Sequence, residues 1–324
     1  MEPQIITDLP AVEFYDFEPD TGDLRSEVIA GLSSSPKYLP PKYFYDQRGS
    51  ELFDQICELP EYYVTRTELG LLQRHGEEMA ALAGKDAVLM ELGSGSSMKI
   101  RTLLAALQPQ AYVAMDISKD HLLGAATQLA EDFGWLEVHA VCVDYSQPWE
   151  FPYQKQGRRT AFFPGSSLGN FEPGAAKTLL SQIGDLVGRG GGLLIGIDLQ
   201  KDVTVLEAAY NDAQGVTEAF NKNLLMRLNA ELKANFDIDN FTHKALWNPA
   251  QNRIEMHLFS QIQQTIQIDG HKFNLAPGES IHTENSYKYT LKQFQTLASS
   301  AGFETLKVWT DDDDLFSVHY LQFR

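Results

Sequence analysis

Apolar positions follow two regimes along this chain. From Asp86 to about Leu199 they come as short continuous runs, DAVLMELG, YVAMDIS, VHAVCVDY, RTAFFPGSS and GGLLIGIDL. Between these runs lie amphipathic stretches such as MKIRTLLAAL, KDHLLGAATQLAEDF and GAAKTLLSQIGDLVG. Continuous apolar strands alternating with helices of about 10–15 residues predict βαβ units and a parallel sheet covered on both faces. After Leu199 the regime changes. VTEAFNKNLLMRLNAEL predicts a helix from about Val216 to Phe236, and HKALWNP, NRIEMHLFSQIQQTIQID and HKFNLAPG alternate as antiparallel strands with turns at Pro249 and Gly270. A last helix, LKQFQTLASSAG, precedes two closing strands, ETLKVWTD and LFSVHYLQF. The first 70 residues read as loosely helical, interrupted by prolines and tyrosines. The expected division is 68–198 with 288–324 as one domain, and 1–67 with 199–287 as a second, α+β domain.

Composition narrows the class. The chain has 324 residues, 43% hydrophobic and 22% charged, which suits a folded protein large enough for two domains. No apolar run reaches the roughly 18 residues a membrane span needs. The acidic N-terminus has no basic segment before an apolar one, so no signal peptide is expected there, and the expected location is the cytoplasm. A formal net charge of −18 argues against nucleic acid and anionic membranes as partners, and in favour of a small-molecule substrate. The two cysteines, Cys57 and Cys142, read as ordinary thiols, and no Cys/His spacing of the metal-binding kind occurs, so no metal is expected. The protein is read as a monomer.

Candidate chemistry gathers at the ends of the first three strands. Glu91-Leu92-Gly93-Ser94-Gly95-Ser96-Ser97 closes one strand and opens a helix, where glycines allow close backbone approach and the helix start offers free N–H groups. The third glycine of a dinucleotide fingerprint is missing, which disfavours a pyrophosphate. Asp116 ends the second strand, about 20 residues on, where a carboxylate can accept from a ribose diol. Asp144-Tyr145 ends the third and pairs an acceptor for an adenine amino group with a ring to cover its face. Taken singly, each feature has a plain alternative as a turn or a helix cap. Together, at the carboxyl ends of consecutive strands, they point to a nucleoside cofactor. The closing strand pair favours S-adenosyl-L-methionine over NAD, since class I (Rossmann-like) methyltransferase sheets end that way. Lys99 could pair with the cofactor carboxylate or with Asp116.

Longer motifs carry a family resemblance. PPKYFYD (40–46), GSELFD (49–54), LPEYYVTRTE (59–68), ELGSGSS, PGSSLGN, AAYNDAQGVTEAFNKN, RIEMHL and HTENS resemble the histidine-specific methyltransferases, which make the trimethylated betaine hercynine for ergothioneine biosynthesis. Tyr43 departs from the tryptophan common at that point of the motif. The resemblance covers nearly the whole chain and implies roles. Tyr45 and Asn170 would meet the substrate amine and carboxylate as the catalytic pair, with Tyr210 also at the carboxylate. Tyr62, Glu284 and Ser286 would hold the imidazole, lined by Met256, and Phe53 would lie near the methylated nitrogen. Gly93, Lys99, Asp116, Asp144 and Tyr145 would hold the cofactor, and Gly165, Ser166 and Ser167 would line its methyl end. The implied substrates are L-histidine and its mono- and dimethyl forms. A related N-methyltransferase acting on a tryptophan derivative is the alternative. An NAD-dependent oxidoreductase or a non-catalytic binding protein on the same fold fits the residues less well.

Overall fold

The structure, a computed structural model, describes residues 4–6, 12–17, 23–84, 87–95, 97–145 and 157–324. Ser96 of the glycine-serine turn and the N-terminal residues 1–3 and 7–11 lie outside the described residues. In chain order the strands are β1 (Gln4–Ile6), β2 (Val12–Asp16), β3 (Lys37–Tyr38), β4 (Val88–Leu92), β5 (Ala111–Asp116), β6 (Glu137–Cys142), β7 (Arg159–Phe163), β8 (Gly192–Asp198), β9 (Phe241–Asn248), β10 (Arg253–Ser260), β11 (Gln264–Ile268), β12 (His271–Leu275), β13 (Ser280–Tyr287), β14 (Phe303–Thr310) and β15 (Phe316–Phe323). The α-helices are α1 (Leu24–Ser33), α2 (Gln47–Glu58), α3 (Tyr63–Ala83), α4 (Met98–Leu107), α5 (Lys119–Asp132), α6 (Pro173–Val187), α7 (Val203–Ala208), α8 (Val216–Leu232) and α9 (Leu291–Ser300). Of the described residues, those within Met1–Asp20, Val64–Gln200 and Lys288–Arg324 form one compact unit, and those within Thr21–Tyr63 and Lys201–Tyr287 form another.

The first unit is built on a nine-stranded sheet in the order β1-β2-β6-β5-β4-β7-β8-β15-β14. The run from β2 to β8 is parallel, and β15 and β14 join antiparallel at one side, as the closing strand pair of the sequence requires. Every residue of β4 and of β8 is buried, which is what strands covered on both faces demand. Helices α4, α5 and α6 supply the crossovers. Pro173 opens α6 at a position where its missing N–H costs nothing, and Thr290 with Gln293 closes a reciprocal capping box at the start of α9. The order of strands reverses at β4, and the crevice at such a switch point is where an open α/β sheet takes its ligand.

One expectation is corrected here. The sequence pattern places residues 1–67 in the second domain as loosely helical, yet Val12–Asp16 is a strand of the large sheet, paired in parallel from Val12↔Val138 to Asp16↔Cys142. Phe14 and Tyr15 point to opposite faces and both are buried, so this segment needs cover on both sides and finds it in the sheet. α3 likewise starts at Tyr63 and runs into the first unit.

The second unit pairs a four-stranded sheet, β3-β13-β10-β9, with the hairpin β11–β12 and with α1, α2, α7 and α8. β10 alternates strictly, burying Ile254, Met256, Leu258 and Ser260. The β11–β12 turn places Asp269 and Gly270 in the left-handed region (φ 49° and 80°), as a two-residue hairpin needs. The polar segment HTENS lies in β13, a strand the hydrophobic pattern does not mark, and Glu284 on it is only 9% exposed. Its neighbours on both edges, β10 and β3, satisfy the backbone and bury those polar side chains.

Candidate functional site

In the first unit, the residues singled out at the strand ends touch one another. Gly93 and Gly95 both hold left-handed φ, 69° and 47°, so the chain after β4 turns as only glycine does freely. The Gly95 N–H donates to Asp116 Oδ2 at 3.1 Å, and the Ser118 N–H donates to Asp116 Oδ1 at 2.9 Å. A Cβ placed on Gly93 would lie 3.3 Å from the Tyr145 hydroxyl, so the end of β6 closes over the turn. Tyr145 also sets its ring edge-on to Phe163 at the end of β7, 5.9 Å between centroids. Asp144 precedes it, part-buried.

The end of β7 completes the arc. Gly165 (φ 77°) leaves room for Lys99, whose Nζ would sit 3.1 Å from a Cβ there. Ser166 is buried and its hydroxyl accepts the Asp198 N–H at 2.9 Å, which ties the end of β7 to the end of β8. The Ser167 hydroxyl donates to the Pro164 carbonyl, and Ser167–Asn170 forms a single 3₁₀ turn that leaves Asn170 part-buried at its end.

Two carboxylates missing from the sequence reading shape this cluster. Glu68, on α3 and fully buried, pairs with Lys99 at 2.7 Å and accepts the Gly165 N–H at 2.9 and 3.1 Å. Lys99 therefore pairs with Glu68, not with Asp116 as the sequence had left open. Glu91 is 1% exposed and accepts from the equally buried Tyr112 hydroxyl. Burial pushes the Glu91 carboxyl up to about 8, opposed by the Tyr112 hydrogen bond and by Lys99. Burial also raises the Asp116 carboxyl, against the backbone N–H groups of Ser118, Gly95 and Ile117. Glu91 stood in the quoted turn motif and could have been flagged as a carboxylate in an apolar strand. Glu68 closes the quoted motif LPEYYVTRTE, but nothing in that stretch pointed to Lys99 or Gly165.

The cluster fits S-adenosylmethionine. A carboxylate offers about four lone-pair positions. The Gly95 and Ser118 N–H groups each take one position on a different Asp116 oxygen, which leaves acceptor capacity on the carboxylate for a ribose diol. The Ser94 hydroxyl is buried within the turn without a hydrogen-bond partner among the described residues, which a polar ligand at this turn would supply. The charges of Glu68 and Asp116 help to keep Glu91 protonated, and Lys99 opposes them.

In the second unit, the remaining candidates fall on two adjoining surfaces. Tyr45 ends a 3₁₀ turn (Pro41–Phe44), and the next residue, Asp46, caps α2 by accepting the Gly49 N–H at 2.7 Å. A side chain at Gly49 would overlap the Phe44 carbonyl, so the glycine lets the turn and helix pack this closely. Asn223 of α8 donates to Asp46 at 2.8 Å, and Arg227 donates to the Tyr43 carbonyl at 3.0 Å, which fixes the turn against α8. Tyr43 is a core residue whose hydroxyl donates to Glu27. Tyr45, Phe53 and Tyr62 then meet in edge-to-face contacts, with centroids 5.9 Å apart for Tyr45–Phe53 and 6.5 Å for Phe53–Tyr62. Phe220 of α8 packs against Phe44, Tyr45 and Phe53 and is the aromatic that the sequence reading missed. Its signal was its place on the buried stripe Thr217, Phe220, Asn221, Leu224 and Leu228 of α8.

The second surface is one face of β10 and β13. Met256 stands opposite Glu284 and Ile254 opposite Ser286. The Tyr210 and Ser286 hydroxyls are 2.9 Å apart, and the Tyr210 ring meets Tyr62 edge-on at 6.0 Å. Tyr210 is held from behind, because His243 donates Nε2–H to its carbonyl at 2.7 Å and Asn221 braces the other ring nitrogen at 2.8 Å. Burial holds the His243 imidazole below its usual pKa. Asp212 accepts the Val216 and Thr217 N–H groups and so caps α8. The structure thus joins Tyr45, Phe53, Tyr62, Tyr210, Met256, Glu284 and Ser286 within the second unit, and Asn170 belongs to the first.

Comparison with known proteins gives this geometry its context. The family model described as "Histidine-specific methyltransferase, SAM-dependent" matches residues 24–323. The chain is 41% identical over 295 residues to the histidine N-alpha-methyltransferase of Mycolicibacterium smegmatis, covering 89% of this chain and 91% of that protein. It is 40% identical over 302 residues to the protein of the same name from Mycobacterium tuberculosis, covering 91% and 93%. Ergothioneine biosynthesis protein 1 of Neurospora crassa is 29% identical over 322 residues, covering 92% of this chain but 35% of that protein. The chain belongs to the family of histidine-specific, S-adenosylmethionine-dependent methyltransferases.

Proposed function

We propose that this protein methylates the α-amino nitrogen of free L-histidine, passing through the mono- and dimethyl forms to the trimethylated betaine hercynine, the chemistry that opens ergothioneine biosynthesis. The observation that carries the choice of amino acid is Glu284, buried on β13 beside Ser286 and opposite Met256. An imidazole presents N–H donors, and a buried carboxylate gives one of them a charge-assisted hydrogen bond. The ring of a tryptophan derivative would sit better against apolar side chains than against a carboxylate.

The cofactor, when bound, supplies an electrophilic methyl group on a cationic sulfur. Asp116 binds its ribose, Asp144 and Tyr145 its adenine, and the turn Gly93–Gly95 lets the backbone come close. Lys99 stands at its amino-acid end, and Gly165, Ser166 and Ser167 line its methyl end. Tyr62, Glu284 and Ser286 hold the imidazole, and Met256 lines it. Asn170 and Tyr210 take the substrate carboxylate, since an amide can donate to a carboxylate and accept from an ammonium. Tyr45 and Phe53 offer aromatic faces that tolerate a quaternary ammonium by cation–π attraction, so the growing ammonium is not rejected after one or two transfers. The protein acts as a cytoplasmic monomer on a small molecule, with neither nucleic acid nor membrane as partner. No helix among the described residues is long and apolar enough to cross a membrane. Incubation with methyl-labelled cofactor and a panel of free amino acids tests the reading. Label should pass to histidine and not to tryptophan, and transfer to tryptophan alone would overturn it.

A further inference from the structure

The sequence shows no metal-binding spacing, but strand pairing in the second unit creates one. Glu255 and His257 are two residues apart on β10 and project from the face opposite Ile254, Met256 and Leu258. The register with β13 steps from Met256↔Glu284 to His257↔His282, which leaves Thr283 as the extra residue of a bulge. The Thr283 hydroxyl donates to the Met256 carbonyl at 3.1 Å and holds that bulge in place. The step sets His282 directly across from His257, with ring centroids 4.9 Å apart and planes inclined by 23°. One ligand-type atom from each of Glu255, His257 and His282 lies within 4.8 Å of the other two. We propose that these three side chains bind a divalent transition-metal ion of the zinc class.

The donor set and its surroundings suit such an ion. Two borderline imidazole nitrogens and a harder carboxylate oxygen are the set with which three protein groups hold zinc and leave a fourth position for water. Metal-binding histidines are normally oriented by a hydrogen bond from the other ring nitrogen. His282 Nε2 lies 3.0 Å from the Glu284 carbonyl, which can only accept, so that nitrogen carries the proton and the lone pair of the neutral ring is on Nδ1. His257 Nε2 faces Glu255 Oε2 at 3.3 Å, and its Nδ1 lies 3.3 Å from the Ser280 hydroxyl. Moving the His257 proton to Nδ1, where the Ser280 oxygen accepts it, frees Nε2 to ligate. Glu255 divides its two oxygens. Oε1 takes Arg253 at 2.7 Å and Asn248 at 2.8 Å, which leaves Oε2 on the histidine side. All three side chains are part-exposed, so an ion can reach them from solvent.

The test uses the full chain, stripped with a chelator and kept free of histidine and cofactor, because free histidine itself binds zinc. Zinc is titrated in competition with a chromophoric chelator. The wild type should take up one ion per chain, Glu255→Gln should bind at least ten-fold more weakly, and the double variant His257→Ala/His282→Ala should lose the site. Zinc should also raise the melting temperature of the wild type and leave that of the double variant unchanged. Should the double variant fail to fold, the visible spectrum of the cobalt(II)-loaded wild type decides, with intense tetrahedral-type bands supporting the site and octahedral aquo-type bands overturning it. Absence of zinc uptake by the wild type, or equal uptake by a folded double variant, would overturn the proposal.

Discussion

Glu68→Gln probes the buried pair that organises the end of β7. Glu68 is fully buried and its partner Lys99 is 17% exposed at the side chain, 2.7 Å away. The same carboxylate takes the Gly165 N–H through both oxygens. Glutamine keeps the volume and one acceptor for that N–H, so no cavity opens, but Lys99 loses its counter-charge. Removing one partner of a buried pair costs about 3–5 kcal/mol, and the residual exposure of Lys99 argues for the lower end, about 3. At roughly 2–4 °C per kcal/mol for a unit of this size, the melting temperature should fall by roughly 6–12 °C. Lys99→Met on the Glu68→Gln background removes the stranded charge and should recover most of the loss. Gly196→Ala attacks the same point from the opposite side, since its Cβ would overlap Glu68 Oε1. Thermal melts of the four proteins give the stability readout, and calorimetry with S-adenosylmethionine gives the binding readout. Affinity should drop with Glu68→Gln, because Gly165 and Lys99 are both assigned to the cofactor. An unchanged melt, or a double variant no more stable than Glu68→Gln alone, would refute the reasoning.

Two further outcomes follow from other parts of the structure. An unfolded glutamic acid ionises near its ordinary 4.5, while Glu91 in the fold keeps its proton to about 8, so the native state carries an extra proton between those values. Its contribution to stability should fade as pH rises from about 5 to 8, and melts of wild type against Glu91→Gln across that window should show a slope that the variant lacks. Glu284→Ala removes the acceptor assigned to the imidazole and should cost about 1.5–3 kcal/mol, roughly 10- to 150-fold in histidine affinity. Adding Met256→Val enlarges the gap, so the ratio of kcat/KM for histidine over tryptophan should fall, with cofactor affinity unchanged. A constant ratio would place the histidine pocket elsewhere.

The sheet was legible wherever apolar residues ran continuously. β4, β5, β6, β7 and β8 follow from runs that must be covered on both faces, the intervening helices from amphipathic stretches, and β14 and β15 from the two segments after the last helix. β2 was missed because five residues between acidic neighbours give too short a run to separate from a loop, and only pairing with β6 defines it. β13 was missed because its sequence is polar, and its neighbours β10 and β3 bury it. Glycines and carboxylates at strand ends could be read directly, since their chemistry lies in contiguous motifs. Glu68 stands in the motif LPEYYVTRTE, but its partners could not be read there, because it reaches Lys99 and Gly165 only in the folded chain. Glu255, His257 and His282 stayed hidden for the same reason, because a bulge on one strand brings the second histidine opposite the first.

Mass spectrometry of the product formed from free L-histidine and S-adenosylmethionine tests the central claim most directly. The account predicts sequential gain of three methyl groups, all on the α-amino nitrogen when the product is fragmented, and turnover of Nα,Nα-dimethylhistidine supplied in place of histidine. Methyl groups on the imidazole ring, or a dimethyl form that binds and is never converted, would contradict it.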